Sequence, residues 1–243
     1  MSRTGLWDSH AHLDDEAFNE DREQLIAQLE QDMDGIVNPG CDAASSAVAV
    51  ELAKKYPFIY AAVGWHPENL KGIPADYLQQ LAEWAQHPKV VAIGEIGLDY
   101  YWKENEPKEV QKRIFLEQVD LAKQFDLPVI IHDRDAHGDM LELFQKEVHG
   151  VQAVFHCFSG SLEMAKELAK LRSVYPHLLV VSGKVYEGDA TTITLTMEEL
   201  EQMEDDPREV FRSFCREELG EEANPHFIEL FEKAVRRYEE GTV

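Results

Sequence analysis

The chain has 243 residues, of which 44% are hydrophobic, and this is enough to bury a sizeable core. Its 47 acidic and 23 basic residues give a formal net charge of -24, which excludes tight binding to nucleic acid through long-range charge attraction alone. No apolar run is long enough to cross a bilayer, and three cysteines without a CxxC pair argue against a disulfide scaffold. We therefore expect a cytoplasmic protein without membrane contact, present as a monomer or small homo-oligomer.

The first recognisable feature is the stretch LWDSHAHLD, residues 6–14, in which two histidines follow a short apolar run. Residues i and i+2 of an extended segment point to the same face, so His10 and His12 can present two imidazoles to one point. Imidazole is a good ligand for zinc and for other transition metals. Taken alone, the pair is also compatible with two polar residues at a strand end.

Short apolar runs rich in β-branched residues then alternate with longer amphipathic segments. The later predicted strands are 35–39, 59–64, 90–98, 128–132, 151–158 and 178–182. The predicted helices are 21–32, 43–56, 75–87, 107–125, 138–148 and 162–171. This alternation predicts a parallel α/β sheet, and the number of units favours a closed TIM (β/α) barrel over an open doubly wound sheet. We predict a single barrel domain over residues 1–243.

Residues that bind metals recur at or near the ends of these predicted strands: His10, His12, His66, Glu95, His132 and His156. A single histidine inside an apolar strand is more often a hydrogen-bonded core residue than a ligand. In a barrel, however, the carboxyl ends of the strands share one rim, where catalytic residues lie. Together these side chains offer enough ligands for two ions, particularly if Glu95 bridges them.

Five segments in this order, WDSHAHLD, AVGWHPENL, AIGEIGLDY, PVIIHDRDA and FHCFSGS, resemble the TatD family of metal-dependent deoxyribonucleases, which are amidohydrolase-like barrels. The resemblance extends from about residue 5 to residue 183. It implies a hydrolase that cleaves phosphodiester bonds with a water activated by two metals. The implied substrate is single-stranded DNA, with RNA as an alternative, attacked from an end.

The same resemblance assigns roles to individual residues. It implies two divalent ions, zinc, magnesium or manganese, with metal ligands His10, His12, Glu95, His132 and His156. In this pattern His10 and His12 hold the first ion, His132 and His156 hold the second, and Glu95 bridges the two ions and acts in catalysis with Asp99. His66 and Arg134 lie near the substrate, and the Arg134 guanidinium suits bidentate binding of a phosphate. Asp99 is alternatively only a strand-end cap.

The C-terminal part departs from the family pattern. An eighth strand with an aspartate that completes the first metal site is not recognisable between residues 186 and 225. Residues 193–243 instead predict an atypical acidic helical tail. Either residues 210–214 supply a short strand, or the barrel is incomplete or distorted and the acidic helices cover the gap. The missing ligand predicts impaired activity.

Two alternatives from other functional classes remain open. The net charge favours a small-molecule amidohydrolase or esterase over an enzyme that acts on a polyanion. A degenerate, non-catalytic relative that binds a partner through its acidic tail is the third hypothesis. Hydrolysis of DNA, hydrolysis of small esters only, or no hydrolysis and no bound metal would separate the three.

Overall fold

The structure is a computed structural model that describes residues 7–161, 163–164, 167–168 and 171. Six strands form one parallel sheet in chain order: β1 Trp7–Asp8, β2 Gly35–Pro39, β3 Ile59–Val63, β4 Val90–Asp99, β5 Val129–Arg134 and β6 Ala153–Phe155. The sheet curls into half of a barrel, which confirms the predicted α/β barrel class. The predicted seventh strand and the acidic tail lie outside the described residues, so the single-domain organisation stays a prediction.

Five helices connect the strands: α1 Arg22–Asp32, α2 Ala43–Lys55, α3 Tyr77–Ala85, α4 Lys108–Gln124 and α5 His137–Lys146. Two 3-10 turns, Glu16–Phe18 and Pro67–Asn69, lie in the loops after β1 and β3. Of the predicted sixth helix, residues 163–164 and 167–168 are helical, and most of the rest lies outside the described part. Within the described part of the chain, no helix has the length and apolar character needed to span a membrane.

Helix α2 shows how the sequence sets local structure. The Asp42 carboxylate accepts a hydrogen bond from the Ser45 backbone N–H at 2.8 Å, and the Ser45 hydroxyl accepts one from the Asp42 N–H at 3.0 Å. This reciprocal capping box satisfies donors that the first turn leaves unpaired. Lys54 and Lys55 lie in the last turn, where positive charge favours the helix dipole.

The main core lies between the sheet and the helices. Phe144 joins α5 to its neighbours, since its ring centroid lies 5.1 Å from that of Phe155 and 6.5 Å from that of Phe115. Successive strand residues face opposite sides of a sheet. The other side carries a smaller buried cluster of Ala62, Ala92 and Ile130. Helices therefore cover one face, and the rim at the carboxyl ends of the strands is left for polar side chains.

The sixth strand is shorter than the sequence predicts. It ends at Phe155, so His156 follows the strand and does not lie within it. The His156 backbone N–H donates to the Ile131 carbonyl at 3.0 Å, and Cys157 then adopts a left-handed φ of 47°. This conformation cannot continue an extended ladder, so the chain turns away at the rim.

Candidate metal centre

Glu95 lies at the centre of the candidate site. Its side chain is 5% exposed, and its two oxygens face different histidines. Oε2 lies 3.1 Å from His10 Nε2 and 3.9 Å from His12 Nε2, whereas Oε1 lies 3.1 Å from His132 Nδ1. The carboxylate of β4 therefore lies between the histidine pair that follows β1 and a histidine of β5.

Glycine allows strand β4 to bring Glu95 beside His132. A Cβ atom on Gly97 would lie 1.9 Å from the His132 carbonyl oxygen, and the φ of Gly97 is 151°. A side chain would therefore be strained there and would also clash with β5. The β4–β5 register shifts between Ile93 and Ile96, so Glu95 leaves from an irregular part of the ladder.

The first histidine pair has the donor set of a cation site. His10 Nε2 lies 3.1 Å from His12 Nε2, and both nitrogens approach Glu95 Oε2. Three electron-rich atoms this close repel one another unless a proton or a cation lies among them. Two imidazoles and one carboxylate are ligands that zinc and manganese accept, so these residues fit the divalent ion that the sequence predicts.

A second group of three possible ligands shares Glu95. The ligand atoms of His66, Glu95 and His132 lie within 4.8 Å of one another. His66 Nδ1 accepts a hydrogen bond from the Glu68 backbone N–H at 3.2 Å, which leaves Nε2 available to a ligand. Burial and the nearby charge of His132 lower the His66 pKa to about 4, so its imidazole is neutral at pH 7. The predicted role of His66 in substrate binding stays a prediction.

Asp99 both caps its strand and holds His132. Its Oδ1 accepts hydrogen bonds from the Tyr101 and Trp102 backbone N–H groups at 3.0 and 3.3 Å, and its Oδ2 lies 2.9 Å from His132 Nε2. Burial would lower the pKa of His132, but the Asp99 and Glu95 carboxylates outweigh it and raise this pKa to about 9. The catalytic role of Asp99 stays a prediction.

His156 lies beside the first histidine pair. Its ring stacks on that of His10 with centroids 3.4 Å apart and planes 8° apart. Burial and the neighbouring His10 lower the His156 pKa to about 4. Within the described residues, the three groups of converging ligand atoms do not include His156. The predicted assignment of His156 to the second ion stays a prediction.

Two glutamines of α4 support the site, although the sequence reasoning missed them. Gln118 accepts from the Trp65 N–H at 2.7 Å and donates to the Trp65 carbonyl at 3.1 Å. Gln111 makes the same pair of bonds to the Asp99 backbone, at 2.8 and 3.0 Å. Both glutamines are buried, and their spacing of seven places them on one helix face. In the sequence, two glutamines on the otherwise apolar face of a predicted helix were the signal that could have identified this role.

A carboxylate also lies close to His12. Asp14 Oδ1 lies 3.8 Å from His12 Nδ1 and accepts a hydrogen bond from Asn38 Nδ2 at 2.8 Å. Interaction with Asp14 raises the pKa of His12. Metal-binding histidines commonly have such a carboxylate behind the ring, which fixes its orientation. The aspartate two residues after His12 in the first motif was the signal for this contact.

The pKa of His132 predicts how the stability of metal-free protein depends on pH. The folded value of about 9 lies above the unfolded value of about 6.5, so protonated His132 stabilises the fold fully below about pH 6.5 and this contribution is lost as pH rises through about 9. His12 and His137 have raised pKa values and act in the same direction. We expect the Tm of chelator-treated protein to fall between about pH 7 and pH 9.

Thermal unfolding of chelator-treated protein across this range checks the prediction. His132→Asn removes the titrating group, so its Tm should change less with pH than that of the wild type. A Tm that is constant or rises with pH in the wild type would contradict the assignment.

A parallel (β/α) sheet with imidazoles and carboxylates at the carboxyl ends of its strands is the arrangement of a candidate metal site in a (β/α) barrel. Comparison with known proteins specifies the class further. A family model described as TatD related DNase matches residues 7–204. The chain belongs to the family of TatD-related DNases.

Individual relatives agree with this membership. The chain is 42% identical to the uncharacterized metal-dependent hydrolase YabD of Bacillus subtilis over 168 residues, which cover 68% of the chain and 66% of YabD. It is 32% identical to the 3'-5' ssDNA/RNA exonuclease TatD of Escherichia coli over 160 residues, 65% of the chain and 61% of that enzyme. The crystal structure of the TatD homolog YJJV from Escherichia coli superposes with a TM-score of 0.63 at 35% identity, covering 69% of the chain and 66% of that structure. The chain thus matches about two thirds of the length of these relatives.

Proposed function

We propose that the protein is a phosphodiesterase that uses two divalent metal ions, zinc, magnesium or manganese, to remove nucleotides from an end of single-stranded DNA, with RNA as a second substrate. The observation that carries this proposal is the division of the Glu95 oxygens between the His10 and His12 pair and His132. A carboxylate shared in this way is suited to bridge two cations.

The side chains around Glu95 provide the charge that such a centre needs. Burial would raise the Glu95 pKa, but hydrogen bonds with His10 and His132 hold it well below its usual range, so the carboxylate is ionised at neutral pH. Two bound ions would lower the pKa of a water and offset negative charge on the phosphoryl group. Asp99 fixes the orientation of His132, and the Asp14 carboxylate lies 3.8 Å from His12 Nδ1.

Arg134 is the proposed phosphate-binding residue. It ends β5, two residues after His132, and its side chain is exposed to solvent. A guanidinium can bind two oxygens of one phosphate through parallel hydrogen bonds. On a chain with a net charge of -24, such a local cation supplies attraction that the protein as a whole does not. His66, neutral at pH 7, would contact the same substrate.

End-labelled oligonucleotides test the proposed activity. We expect stepwise release of nucleotides from single strands in the presence of magnesium or manganese, and no release after chelation. The proposed direction is 3' to 5', because two relatives named 3'-5' ssDNA/RNA exonuclease TatD are each 32% identical to the chain over 160 residues. Closed circular single-stranded DNA offers no end and is the matched control. Equal cleavage of circular and linear DNA would contradict the exonuclease mode.

Hydrolysis of a small ester or amide is the second candidate. The net charge favours it, because a small neutral substrate is not repelled by the acidic protein. The same metal centre would serve either reaction. Activity on p-nitrophenyl esters without any activity on oligonucleotides would select this candidate. Absence of both activities, in protein that holds no metal, would instead indicate a non-catalytic relative.

A further inference from the structure

Two adjacent aromatic side chains are exposed at the rim of the candidate site. Tyr101 and Trp102 follow β4 after one intervening residue, Tyr100, and they are 50% and 41% exposed. Two other large hydrophobic residues of the described chain are similarly exposed, and both lie elsewhere: Trp7 at the start of β1 and Val48 in α2. Exposed aromatic surface is unfavourable in water, so a pair beside a site indicates contact with a ligand.

The backbone that carries this pair is tied to the metal centre. The Asp99 carboxylate accepts hydrogen bonds from both the Tyr101 and the Trp102 N–H groups, and the same carboxylate contacts His132. The Tyr100 N–H donates to the Arg134 carbonyl at 2.9 Å, which joins this loop to the end of β5. The position of the aromatic pair is therefore fixed relative to the proposed phosphate site.

Arg134 connects the aromatic pair with the phosphate site directly. Its guanidinium carbon lies 3.8 Å from the centroid of the Tyr101 ring and 5.5 Å from that of Trp102. The two rings meet edge to face, with centroids 4.7 Å apart and planes 88° apart. A guanidinium stacked on an aromatic ring keeps its edge available for hydrogen bonds to an anion.

We propose that Tyr101, Trp102 and Arg134 form a stacking platform for a nucleobase of the substrate strand, next to the phosphate that is cleaved. This inference rests on the proposed function and specifies its substrate class. Stacking needs no positive charge and accepts any base, so it can supply affinity on a protein whose net charge of -24 repels the backbone. A base can reach the platform only when it is unpaired, so the platform also selects single strands over duplexes.

Hydrolysis of two phosphodiesters tests the platform. One is a single-stranded oligonucleotide, and the other is the same strand with abasic tetrahydrofuran residues at its 3' end, which keeps the phosphodiester but offers no aromatic ring to stack. Trp102→Leu keeps an apolar side chain but removes the stacking surface, whereas Trp102→Phe keeps an aromatic ring. We expect Trp102→Leu to lower kcat/KM for the intact oligonucleotide by about tenfold or more, with little change for the abasic strand. Trp102→Phe should recover most of the loss.

Binding without hydrolysis gives an independent measurement. With metal chelated, a 3'-terminal 2-aminopurine in the oligonucleotide should lose fluorescence when it stacks on the wild-type protein. The quenching should be weaker with Trp102→Leu and with Tyr101→Leu, and it should be retained with Trp102→Phe. Val48→Ala changes an exposed apolar side chain on α2 and should leave both measurements unchanged.

Each outcome decides the proposal. Unchanged oligonucleotide hydrolysis and quenching in Trp102→Leu would overturn it, as would an equal loss on both phosphodiesters, because that loss would lie in the metal centre or the fold. If wild-type protein cleaves neither phosphodiester, the proposed function fails, and fluorescence alone decides the platform. In that case, quenching that Trp102→Leu abolishes supports the platform, and absence of quenching overturns it.

Discussion

Replacing Glu95 with glutamine is expected to abolish metal binding and hydrolysis together. The amide keeps the shape of the side chain but removes the charge that faces both histidine groups, and its nitrogen is a donor where an acceptor is needed. Loss of residues that only support metal ligands typically costs about 10- to 100-fold in affinity or activity, so loss of a shared ligand should cost more than about 100-fold. Metal analysis and oligonucleotide hydrolysis on the same preparation measure both quantities.

A control substitution removes a carboxylate of the same kind outside the metal centre. Glu117 lies on α4, where it pairs with Arg113 at 3.0 Å and accepts a hydrogen bond from Tyr77. Glu117→Gln changes the same atoms outside the site and should leave metal content and activity near wild type. A Glu95→Gln protein that keeps wild-type activity would show that Glu95 does not bridge two ions.

Mild chelation is expected to remove the ion at His10 and His12 first, together with most of the activity. Within the described residues this ion would have three protein ligands, His10, His12 and Glu95, and the family's additional aspartate has no recognisable counterpart in the sequence. Fewer anionic ligands hold a divalent cation less tightly, so we expect the affinity of this site to be at least about tenfold lower than that of the same site in relatives that have the aspartate. The enzyme should then be weaker than relatives that have the aspartate.

Stepwise dialysis against increasing chelator, followed by metal analysis and activity assays, checks this expectation. We predict one ion per chain at low chelator, with activity restored by added manganese. His10→Asn should give the one-ion state without chelator. Simultaneous loss of both ions, or two ions that resist chelation equally, would contradict unequal sites and would indicate that another residue completes the first.

The sequence predicted much of the fold and part of the site for a physical reason. Parallel strands end at one rim, so metal-binding residue types at several predicted strand ends had to lie near one another. The structure places His10, His12 and Glu95 together in this way, and it places His132 on the other side of Glu95. Periodicity identified the helices well because their apolar faces pack against one sheet face.

Other features depended on tertiary geometry. Periodicity gave no reason for the buried pair Gln111 and Gln118, because their role is to satisfy backbone groups of residues far away in sequence. The end of β6 depended on the left-handed conformation of Cys157, which an apolar run does not reveal. Asp99 was left open between a strand cap and a catalytic residue, and one carboxylate makes both the cap and the His132 contact.

The proposal that the two oxygens of the Glu95 carboxylate bind two different ions is tested most directly by diffraction from crystals soaked in manganese. Anomalous maps reveal each bound ion independently of any assumption about ligands. We predict two peaks, one between Glu95 Oε2 and the imidazoles of His10 and His12, and one next to Oε1 and His132. A single peak would contradict the proposed two-metal centre. Two peaks would also contradict it if Glu95 contacts only one of them or neither.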